Sequence, residues 1–177
     1  MPMPAESAHR AGEVGVVLAK HWLESTTHLE MPFDAYDTPA QTTLLRLDGN
    51  SKRYDLSGYY LASRKPVSVE VKNYTVVGNQ ANEYVEYLAN AYSTTAMAIS
   101  QDVDAEREYM WITWHPFSQS KWANLKSPDE IREAVKAHPE VLNGADIDED
   151  IVRKVAESLW LILLPDRERY SEPSRIE

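Results

Sequence analysis

Between Arg53 and Lys72 the chain reads RYDLSGYYLASRKPVSVEVK, two short β-prone runs around a turn. No other stretch limits the fold so tightly, because a hairpin this apolar must be covered by a further layer. The period changes directly after it. Following NYTVVGNQ, the residues Val85, Leu88, Tyr92, Ala96, Ile99 and Val103 step by threes and fours, one face of a long helix. The β-branched pair Thr94-Thr95 leaves a short strand at AMAIS as the alternative. EYMWITWHPF, residues 108 to 117, is aromatic and β-branched and predicts another strand, stopped by Pro116.

Upstream, residues 8 to 25 predict a helix with Val14, Val17, Leu18, His21 and Trp22 on its buried face. Pro32 and Pro39 make the next stretch a connector or an irregular strand. TTLLRLDGN, residues 42 to 50, predicts a strand ending in a turn. Downstream, Ser127-Pro128-Asp129-Glu130 opens a helix with a serine N-cap, proline at N1 and an acid at N3. A second helix is expected from Asp148 to Leu164, amphipathic through Ile151, Val155, Leu159 and Ile162. The order is helix, three strands, helix, strand, helix, helix, an α/β domain. Its core is expected over residues 8–117, with a helical extension over 118–164 and a polar, flexible tail over 165–177.

Composition removes several classes of function. The 177 residues suit one domain and include no cysteine, which excludes disulfides, cysteine zinc sites and thiol catalysis. No apolar run is long enough to span a bilayer and no secretory pattern opens the chain, so a cytoplasmic protein without a membrane partner is expected. A net charge of −10 weakens non-specific affinity for phosphate. A chain like this that acts on nucleic acid needs divalent metal, a basic partner or both. No glycine-rich phosphate loop is present, and Ser57-Gly58 lacks the surroundings of a nucleophile elbow. His9, His21, His28, His115 and His138 show no paired metal spacing. Of these, His21 reads as a core or boundary residue, and His115 ends a strand from which it can reach a site. Trp111, Trp114, Phe117 and Trp122 read as core, with Trp122 beside Lys121 as the one to be exposed. Arg46, Lys52, Arg53, Arg64 and Lys65 form the one basic neighbourhood.

Chemistry concentrates at the end of the hairpin. Glu70 and Lys72 are two apart in a strand and leave the same face, while Val69 and Val71 point the other way. Carboxylate oxygens suit magnesium, and a lysine beside a metal-bound water can orient it. Whether Asp55 joins them depends on register. A turn about Ser63–Arg64 sets Asp55 opposite Lys72 and near Glu70, whereas a turn about Arg64 alone faces it away unless Gly58 forms a bulge. The plainer alternative is an amphipathic edge strand with ordinary charges on its solvent face.

Asp55-Leu56-Ser57-Gly58, a turn, and an apolar run ending in Glu70-Val71-Lys72 resemble the PD-(D/E)XK nuclease superfamily, also called restriction-endonuclease-like. Tyr54 stands where that family often has proline. The resemblance implies a core of helix, three-strand meander, helix and strand, with Asp55 and Glu70 binding magnesium (manganese substituting) and Lys72 completing the catalytic site. It also implies a metal-site glutamate on the first helix, matched by Glu13, for which a helix-dipole charge is the simpler account. Gln80 and Tyr84, four apart on the following helix, resemble the Q-x-x-x-Y element of the RecB-like branch, implying that they position substrate. Their plain alternative is a packed Tyr84 and an exposed first-turn Gln80. The activity implied is hydrolysis of DNA phosphodiesters in a bacterial anti-phage or restriction system, with a protein partner supplying DNA engagement. A non-catalytic scaffold subunit, or a repair or junction-resolving nuclease working as a homo-oligomer, are the alternatives.

Overall fold

Alternate valines at Val67, Val69 and Val71 are buried toward one helical layer, while Ser68 and Glu70 between them are buried toward another. A strand covered on both faces belongs in the middle of a sheet, and the computed structural model, which describes residues 5–103 and 106–165, places it there. The elements run α1 (Ala5–Thr26), β1 (Leu29–Asp34), β2 (Thr43–Leu45), β3 (Ser51–Arg53), β4 (Leu56–Tyr60), β5 (Pro66–Lys72), α2 (Gln80–Ser100), β6 (Glu108–Thr113), α3 (Pro128–Ala137), α4 (Glu149–Glu157) and β7 (Leu159–Leu163). Short 3-10 helices at Gln119–Asn124 and Pro139–Leu142 flank α3. Five strands form one mixed sheet in the order β1-β4-β5-β6-β7, and β2 and β3 pair separately. The pairs β1–β4 and β4–β5 are antiparallel, while β5–β6 and β6–β7 are parallel.

The fold is therefore mixed α/β in three layers. On one face, Val16, Ala19 and Leu23 of α1 pack with Met31, Leu56, Val69 and Ile112. On the other, α2, α3 and α4 close over Tyr109, Trp111 and Leu159. Parallel pairing of β5 with β6 requires a crossover, and α2 supplies it.

Several expectations need correction. Of the two alternatives for the proline-interrupted stretch the structure takes the irregular strand, β1, at the sheet edge where Pro32 is tolerated. The strand expected over residues 42 to 50 is present as the short β2 followed by its turn, but it pairs with β3 in an inserted hairpin outside the main sheet. The antiparallel meander is thus β1-β4-β5. On α1 the buried stripe is rotated from the one expected: Val14 and Val17 are about half exposed, His21 is exposed, and Val16, Ala19 and Leu23 face the sheet. Small residues at Gly15 and Ala19 let the helix lie close, and a Cβ at Gly15 would fall 2.6 Å from Cβ of Asn73. AMAIS is helical, but Ile99 and Val103 are exposed rather than part of the buried face.

The expected helix from Asp148 to Leu164 divides. Asp148 caps α4 by accepting from the amides of Asp150 and Ile151, and Ser158 ends it. The following LWLIL run has no polar face to give a helix, and the free edge of β6 takes it as parallel β7. The extension over residues 118–164 therefore adds a strand as well as helices. Ser127 caps α3 as expected, accepting from the Glu130 amide. The tail expected from residue 165 lies, beyond Pro165, outside the described residues.

Candidate active site

Asp55 enters the site through the backbone. Its N–H donates to the Val69 carbonyl at 2.9 Å, its carbonyl accepts from Ala35 at 3.0 Å, and its Oδ2 accepts from the Val71 amide at 2.7 Å. Bracketed between Val69 and Val71, Asp55 lies across from Glu70, one step beyond the Leu56–Val69 pair. The register is two residues from the one that sets Asp55 opposite Lys72, so parity is kept and no bulge is needed. Arg64, in the left-handed region at φ 59°, closes the turn, donating its amide to the Tyr60 carbonyl. Gly58 has a different task from the bulge considered for it. A Cβ there would lie 2.0 Å from the Glu30 carbonyl oxygen, so glycine admits β1. The irregular step is on β1, between Glu30 and Phe33.

Glu70 is 8% exposed, far from the solvent face of an edge strand. Its Oε1 lies 3.1 Å from Lys72 Nζ, and its Oε2 lies 2.9 Å from Lys52 Nζ. Oε2 is buried, and among the described residues it makes no hydrogen bond of good geometry, so Lys52 meets it as a charge. Lys72 also reaches Glu83 Oε2 at 3.1 Å, and Glu83 Oε1 accepts from the Tyr74 hydroxyl at 2.6 Å. Lys72 rests over the Trp111 ring, 5.3 Å from its centroid. Burial works against the Lys72 ammonium, but the carboxylates of Glu70 and Glu83 outweigh it and hold its pKa above the usual lysine value. Lys72 is therefore a fixed cation and not a neutral base. Asp55 is pushed up to about 6 by burial and then by the neighbouring charge of Glu70, against the Val71 amide and the Lys72 ammonium.

Beside Asp55 opens a cleft of about 560 Å³, lined by His9, Ala35, Tyr36, Arg53 and Asp55. His9 meets Tyr36 edge-on, with ring centroids 5.3 Å apart. Asn73, directly after Lys72, donates from Nδ2 to the Ala11 carbonyl at 2.8 Å and so ties the first turns of α1 to the end of β5. This tie brings Glu13 to the same end of the sheet. Glu13 is exposed, and its charge is felt at Tyr36, whose phenol is pushed up by burial and then by Asp55, Glu13 and Asp34. Among the described residues no three histidine or acidic side chains stand together as a ready metal cluster. Asp55 and Glu70 form the carboxylate pair, with Glu13 outside it.

Gln80 and Tyr84 are buried rather than presented on an exposed surface. Gln80 is fully buried, donating to the His115 carbonyl at 3.0 Å and accepting from the Thr113 hydroxyl at 2.7 Å. Tyr84 donates to the Leu125 carbonyl at 3.0 Å and packs against Trp111 and Phe117. Both tie α2 to the segment after β6, so the exposed first-turn Gln80 of the plain alternative is not found either. His115 contributes its carbonyl, while its ring meets the Pro116 carbonyl. Trp111, Trp114 and Phe117 are core, and Trp122 is half-buried against Phe117. The basic neighbourhood is dispersed: Arg46 pairs with Asp48, Lys52 with Glu70, Lys65 with Glu108, and Arg64 stacks on Tyr59. Arg53 faces the cleft and has no ion pair among the described residues.

The sequence reading missed Lys52 and Glu83 as parts of the network and Tyr36 and His9 as cleft walls. Glu83 lies inside the QANEY stretch already singled out, three residues from Gln80. Lys52 carries no local signal, because it arrives on a hairpin from another sheet. No family model and no solved structure matches the chain.

Proposed function

We propose that this protein is a metal-dependent nuclease of the PD-(D/E)XK kind that hydrolyses phosphodiester bonds in DNA. The observation that carries the reading is the pinning of Asp55 across from Glu70, with Lys72 fixed beside Glu70. The order of α1, the β1-β4-β5 meander, α2 and parallel β6 supports the same reading.

The residues fit magnesium. Burial and then the neighbouring charge of Glu70 raise the pKa of Asp55, and Glu70 Oε2 is a buried acceptor without a good hydrogen bond. Magnesium is commonly held by one or two carboxylates with water and substrate phosphate completing the shell. Asp55 and Glu70 would hold it, and Glu13, whose charge reaches Tyr36 as that of Asp55 does, would serve through water; the ion, when bound, would polarise the phosphate and acidify water. Lys72, kept charged by Glu70 and Glu83, offsets negative charge that develops on a phosphate. Arg53 and His9 line the cleft beside Asp55, where an anionic strand meets cationic and aromatic groups. With a chain charge of −10, a partner that supplies DNA engagement, as in a defence or restriction system, remains part of the proposal.

A second reading, a non-catalytic scaffold, draws on the contact of both Glu70 oxygens with lysines, which also describes a structural ion-pair cluster. Incubation of wild type, Glu70→Ala and Lys72→Ala with linear, circular and single-stranded DNA separates the two. Metal-dependent cleavage by wild type, reduced at least about a hundredfold in both variants, is the expected result. Absence of cleavage by wild type with magnesium and with manganese, alone or with the product of a neighbouring gene, favours the scaffold.

A further inference from the structure

We propose that Lys52 is a tethered stand-in for the divalent cation, holding the Glu70 oxygen that the metal must take and thereby setting the affinity of the site. This rests on the metal-site reading above. The β2–β3 hairpin that carries Lys52 belongs to a separate sheet, yet it is firmly anchored. Arg46 donates to Asn90 Oδ1 at 2.9 Å, the Leu47 amide donates to Ser93 Oγ at 3.0 Å, and the Tyr54 amide donates to the Thr42 carbonyl at 2.9 Å. Lys52 pairs across the hairpin with Leu44, which packs on the core, so both side chains take the inward face. The inward face of this insertion delivers an ammonium to within 2.9 Å of Glu70 Oε2.

Charge decides what that ammonium does. Asp55, Glu70 and Glu83 bring three negative charges to the end of β5, and Lys72 bridges two of them. Lys72 alone cannot neutralise Glu70, since it is shared with Glu83. Lys52 takes up the remaining demand at Oε2, an atom that is buried and lacks a directed hydrogen bond. Such a contact is electrostatic and easily exchanged for another cation. A divalent ion binding Asp55 and Glu70 competes with Lys52 for the same oxygen. Its affinity is therefore lower than the carboxylate pair would otherwise set.

Calorimetric titration of manganese, without DNA, into full-length wild type, Lys52→Met and Glu70→Gln tests this. Lys52→Met is expected to bind manganese about tenfold more tightly than wild type, within the usual range for two coupled sites. Glu70→Gln is expected to abolish binding. Lys52→Arg, which keeps the charge, is expected to stay close to wild type. Should Lys52→Met fail to fold, Lys52→Gln with the manganese-induced rise in Tm reads the same quantity, and that rise is expected to exceed the wild-type rise. Manganese binding that Glu70→Gln abolishes but the Lys52 variants leave unchanged or weaken overturns the role of Lys52 alone. Absence of binding by wild type and Lys52→Met alike overturns the metal site and this inference with it.

Discussion

Asp55 is asked to accept a backbone hydrogen bond and to sit beside a second carboxylate, and these demands conflict. Burial and Glu70 push it up to about 6, well above an unperturbed aspartate. A carboxyl that holds its proton more tightly when folded favours the native state at low pH. That advantage is lost as pH rises from about 4 to about 6, at a cost on the order of 1–3 kcal/mol above that window. Asp55→Asn keeps an acceptor for the Val71 amide and removes the charge. It is expected to raise Tm by several degrees at pH 7.5 and to leave it nearly unchanged at pH 4, read by thermal unfolding at the two pH values. An equal shift at both would show that charge is not the cause. Manganese should raise the wild-type Tm at pH 7.5 and fail to do so in Asp55→Asn. Tyr84→Phe separates packing from substrate contact. Losing the bond to Leu125 should cost about 1 kcal/mol in denaturant unfolding while the cleavage rate stays at the wild-type value. A large loss of rate in a well-folded Tyr84→Phe would return Tyr84 to the substrate surface. Glu70 and Lys72 were legible as neighbours because residues two apart on a strand share a face, whereas the place of Asp55 hung on a register that the local pattern left open. The burial of Gln80 was not legible, and that of Tyr84 only as one of two alternatives, because helical spacing says which side chains are neighbours and not whether they face solvent or core.

Among the elements, β4 is the one on which the site depends, since Asp55 immediately precedes it and Gly58 within it lies against β1. Gly58→Ala would drive a methyl into the Glu30 carbonyl and the Met31 backbone, at 2.0 and 2.8 Å. Backbone on an adjoining strand yields little, so a loss of roughly 3 kcal/mol or more is expected in denaturant unfolding, at the upper end of overpacking costs. Wild-type stability in Gly58→Ala would mean that β1 can move aside. Amides of residues 29–34 should also lose hydrogen-exchange protection before those of β5 do. The cap at Ser127 and the long helix α2 were readable, since both rest on local chemistry or a long period. The division between α4 and β7 was not. Leu159 and Ile162 fit a helical face as well as a strand, and the free edge of β6 decided between them.

For the molecule as a whole, charge and layering set the terms of any encounter with nucleic acid. No described helix is long and apolar enough to cross a membrane. A protein of net charge −10 whose Arg46, Lys52 and Lys65 are held in ion pairs should bind duplex DNA weakly in chelator. Calcium should strengthen that binding by at least about tenfold at low salt, and Glu70→Gln should remove the gain, measured by fluorescence anisotropy. Tight binding in chelator, indifferent to Glu70, would place DNA on another surface. The sequence by itself determined the hairpin with Glu70 and Lys72 on one face, the long helix and the strand that follow it, and the absence of cysteine chemistry, because these follow from composition and short-range period. The tertiary structure alone decided that β5 is central, that Asp55 is pinned across from Glu70, and that Lys52 arrives from an inserted hairpin. Burial and charge contacts between distant segments come from packing, and a local pattern carries no record of which segment will lie alongside.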